Sequence, residues 1–199
     1  MLNLVPPRPG WHTARRGFSL IELMVTISLL AVLLGLAAPA FGTWTRNAQV
    51  RTVSDGLQNG LRAAQAEAVR RSRQVVFFRT DEKACDNTIA SANFGAFWAA
   101  RTVPMFAGDP VETFQCGVLS DTAPGVTLAG PQVLCFNSAG RQVTNPTPGV
   151  TGPGCAVPPT GNSTYVVAAT GADRSLNVVV SLGGQVRMCL VGGVGPDGC

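Results

Sequence analysis

The pattern of apolar and polar residues divides the chain into parts of different character. Residues 18–38 form an apolar run that contains one charged residue, Glu22. As an α-helix this run is about 30 Å long, which is enough to cross the hydrocarbon core of a bilayer. We therefore predict a transmembrane helix over 18–38. Insertion of a carboxylate in such a helix costs about 2.5–3.5 kcal/mol at the bilayer centre and less near the interface. The presence of Glu22 in this run therefore needs an explanation, such as a charged partner.

The pattern changes after the apolar run. Over 39–73 the apolar residues recur every three or four positions, which places them on one face of a helix. We predict an amphipathic continuation of the helix that packs on a globular domain, with a kink where Pro39 removes a backbone hydrogen bond. The stripe consists of Val50, Val53, Leu57, Leu61, Ala64 and Ala68.

Residues 74–199 have the short apolar runs and Gly- and Pro-rich breaks of β structure. Residues 144–163 contain many prolines and glycines, and we predict a long exposed loop there. The predicted fold class is α+β, a long N-terminal helix packed on a C-terminal antiparallel β domain over 74–199. The predicted strands cover 74–79, 94–100, 111–119, 125–129, 133–136, 141–143, 165–170, 175–181 and 186–189.

Charge and composition exclude several classes of function. The formal charge of +4 includes three arginines within residues 1–17, so the side-chain charge from Phe18 onwards is +1. Net charge therefore does not argue for a nucleic-acid partner. The one histidine, His12, precedes the apolar run, so Ser-His-Asp and Cys-His schemes fail. We predict that the protein is not an enzyme and needs neither a cofactor nor a metal.

The cysteines indicate disulfides in an oxidising compartment. None forms a Cys-x-x-Cys pair, so the close ligand pairs of a zinc site are missing. Six cysteines allow fifteen pairings, and we favour sequential pairing, in which the last pair staples the tail. The six are Cys85, Cys116, Cys135, Cys155, Cys189 and Cys199.

The basic residues predict the topology of the membrane segment. Arg15 and Arg16 precede the apolar run, and the next basic residue is Arg46. The positive-inside rule then places the N-terminus in the cytoplasm and the bulk of the chain outside the membrane. In the alternative interpretation, residues 38–40 are the cleavage site of a secretory signal, which would release a soluble periplasmic protein. The apolar run is longer than the usual h-region of about 7–15 residues, and Glu22 is unexplained there.

The sequence Gly-Phe-Ser-Leu-Ile-Glu over residues 17–22 resembles the processing signal of type IV prepilins and type II secretion pseudopilins. The resemblance implies that 1–17 is a leader, that a membrane peptidase cuts after Gly17, and that the new N-terminus at Phe18 is methylated. It also implies that Glu22 pairs with the Phe18 amine of a neighbouring subunit in a filament. Pro39 lies where this family tends to carry a proline.

The rest of the chain resembles the GspH/FimT branch of the pilin superfamily over 61–71, 136–141 and 184–189. This resemblance implies a minor pilin or pseudopilin, anchored in the inner membrane by a single span, with its C-terminal domain in the periplasm. Prepilin peptidase and other pilins are the implied partners. A secretion pseudopilus and a type IV pilus both remain open, because the two machines use the same N-terminal signal.

Binding of DNA during uptake is an alternative function. Some FimT members carry a Gly-Arg-x-Arg pattern near the C-terminus, where this chain has Gly-Gln-Val-Arg over 184–187. Gln185 can bond a phosphate oxygen but releases no counterion, so it adds no salt-dependent affinity. Arg187 is the candidate DNA contact, and Arg141 and Arg174 could join it if their strands are adjacent.

Overall fold

The computed structural model describes residues 17–106, 108–121, 123–194 and 198, without the side chains of residues 38 and 39. The chain divides into two compact units, Met1–Ala40 and Phe41–Cys199. One helix, α1, is assigned over Leu20–Arg71. The strands are β1 Val75–Thr80, β2 Phe97–Thr102, β3 Thr113–Val118, β4 Val126–Ala129, β5 Val133–Phe136, β6 Gln142–Val143, β7 Ser163–Ala169, β8 Leu176–Val180 and β9 Val186–Leu190.

The strands of the second unit form two antiparallel sheets. The first sheet has the order β3-β2-β1-β5-β6, and the second has the order β4-β7-β8-β9. The predicted α+β class, a long N-terminal helix followed by an antiparallel β domain, is confirmed. The kink predicted at Pro39 stays a prediction, as do the domain boundaries at residues 17, 38 and 73.

The main core lies between the apolar stripe of α1 and both sheets. All six residues of the predicted stripe are at most 1% exposed. They pack with Phe77 and Trp98 of the first sheet and with Tyr165 and Val178 of the second. The rings of Phe77 and Trp98 stack with their centroids 5.6 Å apart. The predicted role of the stripe as a core contact is therefore confirmed.

The first sheet is buried on both faces. In β1, Val75 and Phe77 face the main core, whereas Val76 and Phe78 belong to a second cluster on the opposite face. A strand buried on both sides reads as a continuous apolar run rather than an alternating one, which is the pattern that residues 75–78 show. The second cluster is completed from outside the sheet by Ile89, Val150 and Cys155.

The long loop after β6 is therefore less exposed than predicted. Residues 144–162 lie outside the named strands, but Val150 and Cys155 are buried against the outer face of the first sheet. Asn145 and Cys155 also form an isolated antiparallel bridge. The prediction of a wholly exposed loop was wrong, because turn composition does not reveal which apolar residues of a loop cover a sheet.

Strand ends differ from the predictions by a few residues. The second strand was predicted from residue 94, but β2 begins at Phe97 and Phe94 is exposed. Gly95 lies so close to β1 that an added Cβ would be 2.4 Å from the backbone N of Thr80. At this point the chain passes over the end of β1 and does not yet pair with it.

Two disulfides join distant segments of the β domain. Cys85 bonds to Cys116 with their Cα atoms 5.8 Å apart, and Cys135 bonds to Cys155 with their Cα atoms 5.7 Å apart. Both agree with sequential pairing. Cys189 is disulfide-bonded as well, and Cys199, its expected partner, lies outside the described residues. The Cys135–Cys155 bond ties the loop after β6 to the face that it covers.

Ion pairs tie the C-terminal end of α1 to the loop before β3. Glu67 accepts hydrogen bonds from Arg70 and Arg71, and Arg71 also pairs with Glu112. Arg73 donates to Asp109 at 2.8 Å. The hydrogen bond from Arg70, reinforced by Arg71, lowers the pKa of Glu67 to about 2.

Shortening the central residue of the stripe tests the main core. We expect Leu57→Ala to lower the free energy of unfolding by about 2–5 kcal/mol, because it removes fully buried methyl groups and leaves a cavity. Val69→Ala, at a half-exposed position of the same helix, is the matched control. Denaturant unfolding of the chain in detergent, followed by fluorescence, measures both. Equal losses in the two variants would contradict this description of the core.

The lowered pKa of Glu67 predicts a specific pH dependence of stability. Its folded-state pKa is about 2, below the ordinary value of 4.5, so its stabilisation is complete above pH 4.5 and is lost as pH falls towards 2. We expect Glu67→Gln to flatten this part of the profile of unfolding free energy against pH. Asp121→Asn, at an exposed loop position, is the matched comparison variant. An unaltered profile in Glu67→Gln would refute the ion-pair assignment.

Candidate functional site

The apolar run of α1 exposes its side chains in every direction. Leu20–Ala37 is long and apolar enough to cross a membrane, and none of it is buried within the chain. Every large apolar side chain from residue 20 to residue 36 is more than half exposed. A helix that packed on its own domain would bury one stripe and expose the other face. This segment therefore has no apolar cover within the described chain.

Polar side chains within the run satisfy their hydrogen bonds locally. Thr26 donates its hydroxyl to the Leu23 carbonyl at 2.9 Å, and Ser28 donates to the Met24 carbonyl at 2.8 Å. Such bonds hide hydroxyl groups from hydrocarbon. Glu22 is then the one group in Leu20–Ala37 whose charge calls for a further partner.

Ser19 caps the N-terminus of the helix. The backbone N–H of Glu22 donates to the Ser19 hydroxyl oxygen at 3.2 Å, and the N–H of Leu23 donates to the Ser19 carbonyl. The spacing Ser-x-x-Glu is that of a capping box, and a carboxylate in the first turn also meets the positive end of the helix dipole. The sequence prediction missed Ser19, although the spacing was visible.

Gly17 and Phe18 lie exposed before this cap. The Phe18 side chain is 78% exposed. No described atom lies within 4 Å of the position that a Cβ on Gly17 would take, so packing within the described residues does not require glycine there.

A groove of about 1120 Å³ lies in the second unit between the helix and the edge strand β9. We call it the α1–β9 groove. Arg62 reaches across one part of it and donates to the Val186 carbonyl at 3.2 Å. The helix contributes Trp44, Asn47, Ala48, Val50, Arg51, Asp55, Gln58, Arg62 and Gln65, and the second sheet contributes Arg174, Leu176 and residues 185–190.

The groove brings together two of the three predicted DNA contacts. Arg174 and Arg187 both line it, with Gln185, and all three are exposed. Arg51 and Arg62 add cations from the helix, and sequence periodicity gave no sign that they would meet the strand arginines. The acidic residue of the lining is Asp55, 3.8 Å from Arg51.

Arg141 is not part of the lining. It is exposed in the turn between β5 and β6, where its backbone N–H donates to the Asn137 side chain.

The glycine of the Gly-Gln-Val-Arg segment has a packing role in the same region. Gly184 has φ +87°, and a Cβ there would lie 1.9 Å from the Gly140 carbonyl oxygen. Only glycine accepts both the backbone angle and this close approach.

Comparisons with known proteins agree with the resemblance drawn from the sequence. Residues 12–38 match the family model described as the prokaryotic N-terminal methylation motif. A fimbrial protein of Moraxella nonliquefaciens is 39% identical over 51 residues, which are 24% of this chain. The match spans 33% of the length of that relative.

Two solved structures are similar at low sequence identity. The type IV minor pilin FimU of Pseudomonas aeruginosa is 15% identical, with a TM-score of 0.48 over 73% of this chain and 91% of that chain. The minor pseudopilin EpsH from the type 2 secretion system of Vibrio cholerae is 13% identical, with a TM-score of 0.46 over 73% of this chain and 99% of that chain. These proteins are named as pilin-class proteins and none is named as an enzyme.

Proposed function

We propose that the chain is a minor pilin or pseudopilin subunit that is cut after Gly17 and methylated at Phe18 by prepilin peptidase. It then assembles with other pilins into a type II secretion pseudopilus or a type IV pilus. One observation carries the proposal: the methylation motif over residues 12–38 coincides with a helix that is exposed and apolar on every face. Such a helix can lie first in a bilayer and then in the apolar centre of a filament.

The proposed location is the inner membrane, with the leader in the cytoplasm and residues 41–199 in the periplasm. The distribution of arginines around the span supports this orientation. The two disulfides support it too, because disulfides persist in oxidising compartments such as the periplasm. In this proposal the domain limits are a leader over 1–17, a membrane span over 18–38, an amphipathic helix over 39–73 and a β domain over 74–199.

In the proposed assembly Glu22 has two roles. It occupies the capping-box position after Ser19 in its own chain, and its carboxylate pairs with the methylated Phe18 amine of a neighbour. A charge pair in apolar surroundings adds little net stability, but an unpaired charge there is costly. Glu22 would therefore select the axial position at which a subunit docks.

DNA binding is a second candidate function. Its support is that Arg174 and Arg187 line one groove with Arg51 and Arg62. A cationic groove attracts phosphates, and each arginine that contacts one adds salt-dependent affinity. The net charge of the chain and the replacement of one arginine by Gln185 weigh against it.

The N-terminus of the protein isolated from membranes tests the processing step. We expect a chain that begins at Phe18 and is heavier by one methyl group, as measured by intact mass and N-terminal sequencing. Gly17→Leu should remain uncut, because a side chain at that position obstructs the peptidase while disturbing no packing in the described chain. A wild-type N-terminus at Phe41 would instead support the secreted soluble alternative, and an uncut wild-type leader would also refute the proposal.

Substitutions in the N-cap separate the two roles of Glu22. Glu22→Gln keeps a side chain suited to a capping box but removes the charge, whereas Ser19→Ala removes the cap and keeps the charge. We expect both variants to insert in the membrane and Glu22→Gln alone to lose most of its incorporation into sheared filaments. Immunoblots of membrane and filament fractions measure this. Equal incorporation of Glu22→Gln and wild type would rule out the pairing role.

A further inference from the structure

We propose that the α1–β9 groove binds an extended acidic segment of another protein, which joins the second sheet as an added strand beside β9. The function of the groove would be capture of a partner strand in the soluble part of the molecule. The proposal does not require that the chain assemble into a filament.

The first observation is the open edge of β9. Among the strands of the described chain, β9 pairs with β8 alone, and Val180 lies opposite Val186. The Val186 carbonyl accepts from Arg62 on the helix side, so it points away from β8. Because the direction alternates along a strand, the N–H and C=O of Met188 point the same way, into the groove. An added strand needs this alternating row of donors and acceptors.

The second observation is the shape of the site. Open strand edges are usually covered or shortened, since they otherwise pair with other chains. Here the helix forms the opposite wall of the groove, and Arg62 closes the edge at Val186 only. An incoming strand would lie about 4.8 Å from β9, between the sheet and the helix. The helix wall thereby disfavours the edge-to-edge stacking of sheets that leads to aggregation.

The third observation is charge. The lining carries four arginines, Arg51, Arg62, Arg174 and Arg187, and one carboxylate, Asp55. Asp55 lies beside Arg51, and Asp173 is exposed next to Arg174 outside the lining. The surplus of positive charge favours a ligand with acidic side chains, and it disfavours basic strands by repulsion.

A protein strand fits the groove better than a nucleic acid does. A phosphodiester backbone offers acceptors but no donors, so it leaves the outward carbonyl of Met188 without a partner, whereas a peptide supplies both groups. Proteins that bind single-stranded DNA also stack successive bases on aromatic side chains. In the described lining Trp44 is the one aromatic residue.

The test uses the full chain in detergent and measures fluorescence anisotropy with defined probes. The binding probe is a labelled peptide of alternating Glu and Val, about eight residues long. A second probe has the same sequence with alternate backbone amides N-methylated, and a third replaces Glu with Lys. An oligo-dT strand of about twelve nucleotides tests the nucleic-acid outcome.

We expect the Glu-Val peptide to bind, and its N-methylated and Lys-containing forms to bind at least about tenfold more weakly. The double variant Arg174→Gln/Arg187→Gln should weaken binding about tenfold, because it removes two solvent-exposed ion pairs. Arg141→Gln, an exposed arginine outside the groove, is the matched control and should bind like wild type. Hydrogen exchange should show the Met188 amide protected by the peptide.

Three outcomes would overturn the proposal. Equal binding of the N-methylated peptide would show that strand pairing is not used. An equal effect of Arg141→Gln and the groove double variant would place binding elsewhere. Binding of oligo-dT without binding of the Glu-Val peptide would assign the groove to nucleic acid instead. If the double variant is poorly folded, the N-methylated probe on wild-type protein still decides the question.

Discussion

Burial of one face of α1 against both sheets is the interaction on which the folded unit depends. The two sheets share no strand, and the stripe from Val50 to Ala68 contributes to a core that includes residues of both. Phe77 and Trp98 reach this core from one sheet, and Tyr165 reaches it from the other. The polar flank of the helix beside this stripe, together with Val50 at its start, forms one wall of the α1–β9 groove.

The N-terminal part of the helix, in contrast, buries no face within the described chain. Leu20–Ala37 contacts no core in the described chain and exposes apolar side chains on all sides. Its hydroxyl groups are satisfied internally, and its start is capped by Ser19. The helix is locally complete but requires an apolar environment from outside. Glu22 is tolerable there because it lies in the first turn, where capping and the helix dipole favour a carboxylate.

The sequence predicted the parts of the fold in which local pattern and burial coincide. The buried helical stripe and the strands could be predicted because the spacing of their apolar residues and the positions of the turn residues match the tertiary structure. Arg79 shows the limit: it lies at the end of a predicted strand, yet it is fully buried and donates to the carbonyls of Leu128 and Gly130. Nothing in its neighbourhood along the chain indicates those partners. The sequence also did not indicate that Arg51 and Arg62 of the helix would lie near Arg174 and Arg187. Their proximity follows from the packing of the second sheet beside the helix.

The helix α1 meets two different environments along its length, an apolar phase outside the chain up to Ala37 and its own domain from Val50. This difference can be measured with nitroxide side chains placed one at a time along α1 of the unassembled chain in lipid vesicles. The accessibility of each nitroxide to oxygen and to a water-soluble nickel complex is then recorded. We expect high oxygen access at every position of Leu20–Ala37, and a period of about 3.6 residues in accessibility from Val50 onwards, with minima at the stripe. The same helical period in oxygen access within Leu20–Ala37 would contradict it, because one face of that segment would then already be covered by protein.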